Sequence, residues 1–270
     1  MLPRHLVLPA GGSALVSTDL HGNLSDYERL EAAFLALPGD SHWVLLGDLV
    51  HGPDPDSART NPLYAYEDRS SALVLRVTDL ARRFPARVHY VLGNHDHGHV
   101  GGPRTSKFHP DEVAALEGTM GAEEKRALRA LFEGALLAVA TPCGALLTHG
   151  APDATLDALE TLDGISLDPS ANDARQNRIL SSILRSYGQP EARTLELLAN
   201  VSRPGLELRM VIHGHDRDEA GIFREGTTTL CPVLFGARRE ERRYVVLDLA
   251  ARYRTVQDLR DGAEIRRVHA

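Results

Sequence analysis

The stretch GNHDHGHVGG, from Gly93 to Gly102, contains three histidines, an aspartate, an asparagine and four glycines. It directly follows RVHYVL (87–92), an apolar run that is typical of a buried strand. Glycine permits the tight turn that must end such a strand, and Asn, His and Asp side chains all offer lone pairs. We therefore expect a strand whose carboxyl end presents a metal site or catalytic groups on a loop. A solvated surface loop with scattered histidines is the alternative.

Two earlier segments have the same organisation. The run SALVST (13–18) leads into Asp19, and HWVLLGD (42–48) ends at Asp48. Two helical patterns separate these strands: SDYERLEAAFLALPG (25–39) and SSALVLRVTDLARRF (70–84). Alternation of strand and helix predicts an α/β fold with parallel strands. In such a sheet, ligand sites lie at the carboxyl ends of the strands, where these polar residues stand.

The second half of the chain combines strands with a long helical segment. The runs ALLAVA (135–140) and GALLTHG (144–150) predict a hairpin, and YVVLDLAARYRTVQDL (244–259) predicts a closing β-hairpin. Between them, residues 152–204 have mostly helical periodicity and predict a helical cap inserted into the fold. No internal repeat or low-complexity linker interrupts the sequence, so we predict a single domain over residues 1–270.

Composition and charge narrow the classes of function. The chain has 270 residues, 43% of them hydrophobic, and a formal net charge of −7, which disfavours a broad nucleic-acid-binding surface. Its two cysteines, Cys143 and Cys231, are too few for a disulfide framework and indicate a reducing compartment. No apolar run approaches the roughly 18 residues that span a bilayer, and the first residues lack the apolar core of a signal peptide. We expect a soluble, cytoplasmic protein; the sequence does not define its oligomeric state.

Five clusters of metal-ligand residue types follow predicted strands. In chain order they are Asp19-Leu20-His21, Gly47-Asp48, Gly93-Asn94-His95-Asp96, His149-Gly150 and Gly214-His215. Each cluster alone is weak evidence for a metal site, because a polar residue after a strand is usually a turn cap. Five such clusters, each directly after a predicted strand, rarely arise by chance. Carboxylate, imidazole and carboxamide ligands without thiolates suit Mn, Fe, Zn or Mg. One bridging carboxylate would let two ions ~3.5–4 Å apart clamp an in-line displacement at phosphorus, with a water between them ionised near neutral pH.

This ordered set resembles the calcineurin-like metallophosphoesterase superfamily over about residues 14–249, and TDLHGN and THGAPD are closest to its phosphoprotein phosphatase branch. The resemblance implies a two-sheet α/β sandwich flanked by helices, with two divalent ions (Mn, Fe, Zn or Ni, with Mn favoured) on loops at one end. The implied ligands are Asp19 and His21 for the first ion, Asp48 as the bridge, and Asn94, His149 and His215 for the second. His95 matches the family's catalytic histidine, which protonates the leaving oxygen. Asp96 either orients His95 or shapes the loop.

Two motifs depart from the phosphoprotein phosphatase pattern. The second motif reads GDLVHGPDPD (47–56), without the branch's Asp–Arg pair, and has His51 where the DNA-repair nuclease branch carries a histidine that assists catalysis. His51 is then a second catalytic residue or a histidine that packs beside the site. In the last motif, Arg217 stands where nuclease-type members have a histidine, and it could contact the substrate phosphate. In the alternative register, His213 and His215 would both be ligands.

The missing arginine leaves the phosphate-binding group open. The candidates are Arg217, Arg104, Arg175, Arg178 and Arg238. His97 and His99 match no role in the family, and we expect both to be solvated. We predict a metal-dependent phosphatase acting on phosphomonoesters, either phosphoproteins or small molecules. The alternatives are a phosphodiesterase or nuclease, or a nucleoside polyphosphate hydrolase, with His51 as a second catalytic histidine. A catalytically dead metal-binding module is disfavoured because His95 and Asp48 are both present.

Overall fold

The structure, a computed structural model, describes residues 3–269. Its strands are β1 His5–Val7, β2 Ser13–Ser17, β3 His42–Leu45, β4 Val88–Tyr90, β5 Ala138–Ala140, β6 Ala145–Thr148, β7 Met210–His213, β8 Ile222–Glu225, β9 Thr229–Pro232, β10 Arg243–Asp248 and β11 Ile265–Arg267. Its α-helices are α1 Leu24–Ala36, α2 Pro55–Thr60, α3 Ser70–Arg83, α4 Asn94–His97, α5 Glu112–Thr119, α6 Ala122–Glu133, α7 Ala174–Arg185 and α8 Glu191–Val201.

The strands form two mixed sheets. One has the order β11-β10-β2-β3-β4 and the other the order β1-β5-β6-β7-β9-β8. In the first sheet, β2, β3 and β4 are parallel, with Leu15 opposite Trp43 and Val44 opposite His89. In the second sheet, β5 and β6 are antiparallel, as the predicted hairpin requires, and β6 is parallel to β7. Helices flank the two sheets, so the α/β sandwich that the resemblance implies is confirmed.

Alternate residues of each strand enter different apolar clusters. In β2, Val16 belongs to a cluster that includes residues of both sheets, whereas Leu15 belongs to the cluster that the helices cover. In β6, Leu147 and Leu146 divide in the same way. A strand that is buried on both faces has to be apolar at successive positions. This is why SALVS and ALLT read as continuous apolar runs and end sharply where polar loops begin.

The predicted closing hairpin is wrong in its second strand. The strand β10 pairs with β11, at residues 265–267, rather than with residues 253–259. The latter segment contains a short 3₁₀ turn, and Tyr253, Val256 and Leu259 are all buried in the cluster between the sheets. Their spacing of three residues suits a 3₁₀ turn, which has three residues per turn, and not a strand, whose faces alternate every two residues.

The segment 152–204 contains α7, α8 and two 3₁₀ turns. Its apolar side chains, among them Leu162 and Ile183, join the same cluster as Leu30 of α1 and Leu73 of α3. The C-terminal end of α7 lies next to the loop that follows β6, where the N–H groups of Gly150 and Ala151 donate to the carbonyl oxygens of Ile183 (2.7 Å) and Ser186 (2.9 Å). Within residues 3–269, no helix has both the length and the apolar character that a bilayer crossing requires.

Candidate metal centre and catalytic groups

Five loops at the carboxyl ends of strands converge on one site. They follow β2, β3, β4, β6 and β7 and carry, in that order, Asp19 with His21, Asp48, Asn94 with His95, His149, and His215. Within residues 3–269, the non-glycine residues with positive φ are Asp19 (49°), His21 (41°), Asp48 (51°), His51 (67°) and His215 (71°). This conformation is uncommon for residues with a Cβ and concentrates at functional sites, where the surrounding structure enforces it.

The first three loops pack backbone against backbone. Asp19 and His21 donate their N–H groups to the carbonyl oxygens of Gly47 (3.1 Å) and Asp48 (2.9 Å) respectively. Gly47 has φ 82°, and a Cβ at this position would collide with the backbone of Gly93. Glycine at position 47 therefore permits the second and third loops to touch, which brings Asp48 against the turn that carries His95.

The two carboxylate oxygens of Asp48 have separate partners. Oδ1 accepts a hydrogen bond from the backbone N–H of His95 (2.8 Å). Oδ2 lies 3.4 Å from Nε2 of His21 and 3.5 Å from Nε2 of His149. Asp48 consequently belongs to two groups whose ligand atoms all lie within 4.8 Å of one another: one with His21 and His95, the other with His149 and His215. An oxygen shared in this way is what a carboxylate that bridges two cations must offer.

The orientation of two histidines fits cation binding. Nδ1 of His21 lies 3.1 Å from the carbonyl oxygens of Val50 and His51, and Nδ1 of His149 lies 2.6 Å from that of Leu46. A ring whose Nδ1–H donates to a carbonyl presents the lone pair of Nε2, here towards Asp48. Burial lowers the pKa of His21 well below its ordinary value, so this imidazole is neutral at pH 7, the form that binds metals.

Neighbouring charges offset the effect of burial on the pKa values of Asp48 and His149. Burial favours neutral Asp48, but the nearby His149 and His95 outweigh it and lower the pKa of this carboxyl. Burial likewise disfavours protonated His149, but Asp48 and Asp19 raise its pKa. Burial and the charge of His149 lower the pKa of His215 to about 3. A buried set of carboxylates and imidazoles with this mutual dependence suits divalent cations of the Mn, Fe, Zn or Ni type.

Asp19 and Asn94 complete the predicted ligand set. Oδ2 of Asp19 accepts hydrogen bonds from the Thr18 hydroxyl and from the backbone N–H of His215 (3.0 Å), and its Oδ1 lies 3.9 Å from Nε2 of His21. Oδ1 of Asn94 lies 3.0 Å from Nε2 of His149. All six residues that the resemblance implies as ligands therefore stand at one place.

His213, the ligand of the alternative register, is in neither of the two groups that share Asp48. Its Nδ1 lies 2.7 Å from the carbonyl oxygen of Gly214, and its Nε2 lies 3.6 Å from Asp216. The ring also makes an edge contact with Phe223. His213 thus packs behind the loop, and His215 is the member of the pair that stands with the other predicted ligands.

His95 is held by a glutamate that the sequence did not single out. The His95 ring lies 4.7 Å from the His21 ring, and its Nδ1 lies 3.1 Å from Oε2 of Glu112, the first residue of α5. The same Oε2 lies 3.5 Å from Nδ1 of His51. Burial favours neutral Glu112, but the nearby side chains of His51, His95 and Thr105 outweigh it and lower the pKa of this carboxyl. A buried, ionised carboxylate thus stands between two imidazoles.

Asp96 contacts the backbone of the loops instead of His95. Its Oδ2 accepts hydrogen bonds from the N–H groups of Asp48 (2.8 Å) and Gly93 (2.9 Å) and from the hydroxyl of Tyr90 (2.6 Å). Its Oδ1 accepts from the N–H of Leu49 (3.0 Å). This geometry corresponds to the loop-shaping alternative for Asp96 and ties the second loop to the third.

Comparison with known proteins identifies the family. A family model described as calcineurin-like phosphoesterase matches residues 13–217, three quarters of the chain. The chain belongs to the calcineurin-like phosphoesterase family. No curated protein matches the sequence significantly. Membership shows that the chain is a hydrolase of phosphoesters and that its class uses divalent metals, and the expected resemblance is thereby confirmed.

Solved structures have the same fold. A protein serine/threonine phosphatase from Saccharomyces cerevisiae is similar with a TM-score of 0.61 and 15% identity, covering 91% of this chain and 76% of its own. A cold-active protein-tyrosine phosphatase of a psychrophilic Shewanella species is similar with a TM-score of 0.59 and 14% identity, covering 93% and 78%. At such low identity, this likeness shows the shared fold alone.

Two more histidines of the segment that follows β4, His97 and His99, lie within the protein. Nε2 of His51 lies 2.9 Å from Nε2 of His99, and Nδ1 of His99 lies 2.9 Å from Glu117. His97 is also buried, with its Nε2 2.6 Å from the carbonyl oxygen of Leu167. The expectation that His97 and His99 are solvated is therefore wrong. The segments that contain Glu117 and Leu167 cover the histidines, and the sequence alone does not place those segments.

Most of the candidate arginines form salt bridges at the surface. Their partners are Asp111 for Arg104, Asp157 for Arg175, Asp153 for Arg178 and Glu219 for Arg238. Arg217 instead lies with its guanidinium 5.5 Å from the ring centre of Phe235. That ring lies 4.1 Å from the ring of His21, so Arg217 is the candidate that stands next to the metal centre.

Three further residues border the site and were missed by the sequence reasoning. Tyr187, just after α7, stacks its exposed ring on His215 at 4.6 Å. Burial lowers the pKa of Arg185, and the charge of Asp48 opposes that shift, which places this guanidinium within the electrostatic reach of the centre. Lys107 lies among aromatic rings on the side of His21. None of the three follows a strand or belongs to a family motif, so no signal in the sequence marked them.

Proposed function

We propose that this calcineurin-like phosphoesterase is a dinuclear metal-dependent phosphatase that hydrolyses phosphomonoesters of phosphoproteins or small molecules. The observation that carries the proposal is the position of Oδ2 of Asp48 between Nε2 of His21 (3.4 Å) and Nε2 of His149 (3.5 Å). Each histidine stands with further ligand types, so that one carboxylate oxygen serves two sites. The proposed ligands are Asp19, His21 and Asp48 for the first ion, and Asp48, Asn94, His149 and His215 for the second.

When bound, two such ions would activate a water and neutralise charge on the phosphoryl group. The residues of the chain provide the rest. Asp48 ties the two sites together, and its Oδ1 also fixes the backbone of His95. Of the metals that suit this donor set we favour Mn, because hard carboxylate and carboxamide oxygens accompany the imidazoles.

His95 is the proposed general acid, which donates a proton to the oxygen of the leaving alcohol. Its ring stands beside His21, with Nδ1 directed to Glu112 at 3.1 Å. This contact orients the ring so that Nε2 is the nitrogen available to the substrate, as a carboxylate does for a catalytic imidazole. Positioned acid catalysis of this kind contributes roughly 10²–10⁴-fold to the rate.

A second function is favoured by one observation, the position of His51. Its ring lies 5.7 Å from that of His95, and both rings approach the same oxygen of Glu112. In a phosphodiesterase or a nucleoside polyphosphate hydrolase, His51 would act as a second catalytic histidine. We place the monoesterase before this second function. A net charge of −7 is unfavourable for binding long nucleic acids, which makes a nuclease the weaker alternative.

We also propose that the protein is cytoplasmic.

The deciding assay compares p-nitrophenyl phosphate with bis-p-nitrophenyl phosphate, on protein reconstituted with Mn²⁺. We expect kcat/KM for the monoester to exceed that for the diester by at least about tenfold, equivalent to ~1.4 kcal/mol in the barrier. Protein stripped with a chelator is the control and should be inactive until metal is restored. A diester preference that disappears in His51→Ala would establish the second function instead, and turnover without metal would refute both.

A further inference from the structure

Lys107 is a half-buried residue whose ammonium nitrogen lies among aromatic rings. Its Nζ lies 3.6 Å from the ring centre of Phe235, 5.2 Å from that of Phe108 and 5.8 Å from that of Tyr64. Within residues 3–269, this nitrogen has no hydrogen-bond partner, although it is shielded from solvent. Aromatic faces attract a cation, but this attraction does not replace the hydrogen bonds that an ammonium group loses on burial. An ammonium group in this environment would gain hydrogen bonds by binding an anionic ligand.

The aromatic pocket formed by Tyr64, Phe108 and Phe235, in which Nζ of Lys107 lies, adjoins the first proposed metal site. The Phe235 ring stacks on Tyr64 at 4.8 Å and also touches His21 at 4.1 Å. The neighbouring backbone is anchored as well, because the N–H of Phe108 donates to Oε1 of Glu112 (2.9 Å). Lys107 thus lies near the first proposed metal site, and the backbone next to it is tied to the carboxylate that faces His95.

The electrostatic environment of Lys107 favours the binding of an anion. Burial and the nearby charge of Arg217 lower the pKa of Lys107 to about 7, and Asp48 and Asp19 oppose the shift only in part. Arg217 and Lys107 approach the same ring, that of Phe235. Two cations held this close repel each other, and a dianion bound between them would relieve the repulsion.

We propose that Lys107, together with Arg217, binds the non-bridging oxygens of a phosphoryl dianion, and that it supplies the phosphate-binding cation absent from the second motif. The proposal rests on the phosphatase function and narrows its substrate class to dianionic phosphomonoesters. A monoester carries two charges and leaves oxygens free for both cations, whereas a diester carries one charge and a second ester group. Lys107 is therefore a specificity-determining residue as well as a binding residue.

The test is a calorimetric titration of Mn²⁺-loaded protein with inorganic phosphate, which does not depend on turnover. We expect Lys107→Met to raise the Kd for phosphate by about 10- to 100-fold, the range for the loss of one charge-assisted hydrogen bond. Lys107→Arg should recover most of the affinity. The chain has only two lysines, so Lys125→Met, on the outer helix α6, is the matched control and should bind like the wild type. Metal content and melting temperature are measured for each variant.

A phosphate affinity that stays within twofold of the wild type in Lys107→Met would overturn the proposal. So would loss of metal together with phosphate, since Lys107 would then support the metal centre. If Lys107→Met does not fold, Lys107→Gln is judged by the same criteria. In kinetics, the ratio of monoester to diester kcat/KM should fall in Lys107→Met. A wild-type preference for diesters would refute the phosphatase function, while the phosphate titration would still decide the role of Lys107.

Discussion

At the scale of single residues, the proposed chemistry depends on carboxylates whose two oxygens do different things. Asp48 places Oδ1 on the backbone N–H of His95 and Oδ2 between two histidines. Glu112 similarly places Oε1 on the N–H of Phe108 and Oε2 near the rings of His95 and His51. Each carboxylate therefore contacts both the backbone of a loop and the side chains of the candidate site, and so couples the position of that loop to the site.

The first residue to test is His95. Its ring is assigned to proton transfer, and Asp48 contacts only its backbone N–H, which Ala keeps. His95→Ala should lower kcat for p-nitrophenyl phosphate by roughly 10²–10⁴-fold, with metal content unchanged. Metal analysis of the purified variant accompanies the kinetics. Because His95 also stands within ligand distance of His21 and Asp48, loss of a metal ion from His95→Ala would reassign it as a ligand.

Glu112 is expected to act through His95. Glu112→Gln should lower kcat by about 10- to 100-fold for alkyl phosphates, since a hydrogen bond to a charged group contributes roughly 1.5–3 kcal/mol. The loss should be much smaller for 2,4-dinitrophenyl phosphate, whose leaving group needs no proton. Glu123→Gln, a 92% exposed glutamate on α6, is the control. An equal loss with every leaving group would mean that Glu112 only maintains the structure.

At the scale of elements, the strands that lead into the candidate site were predictable, but the segments that cover the site were not. The runs that became β2 and β3 are largely apolar at successive positions because both faces are buried, and polar residues follow their ends. Glu112 and Lys107 lack such a signal. Glu112 begins α5, and the residue pattern of a helix predicts the helix itself but not the place where it packs. Lys107 lies in an irregular loop without periodicity. The solvation expected for His99 failed for the same reason, because its covering residue, Glu117, comes from α5.

The contact between the second and third loops can be tested at Gly47. A Cβ there would meet the Gly93 backbone, and φ of 82° is unfavourable for alanine. Gly47→Ala should displace Asp48 from the turn of His95, and so lower both the melting temperature and the affinity for Mn²⁺. Gly39→Ala is the matched control, because a Cβ at Gly39 meets nothing within 4 Å. Unchanged metal affinity in Gly47→Ala would show that the loops do not need this contact.

At the scale of the whole molecule, two apolar clusters connect the site to the rest of the chain. One cluster lies between the sheets, and the other is shared by the sheets, the flanking helices and segment 152–204. The segment reaches the metal centre through Tyr187, which stacks on His215. Because Leu162 and Ile183 share a cluster with Leu30 of α1, we propose that this segment is part of a single domain and unfolds with it.

The single-domain proposal predicts one cooperative urea transition for metal-loaded protein, with fluorescence of Trp43 and helical circular dichroism changing together. Ile183→Ala, at a fully buried position of α7, should shift the whole transition to lower urea by about 2–4 kcal/mol of unfolding free energy. Leu195→Ala on α8 is the control, since Leu195 is 53% exposed and should change stability little. Trp43 belongs to the shared cluster but lies on β3, far along the chain from α7. If Ile183→Ala moved the helical signal and left the Trp43 signal in place, segment 152–204 would be a separate unit, and its contact with His215 would be a docking contact between two units.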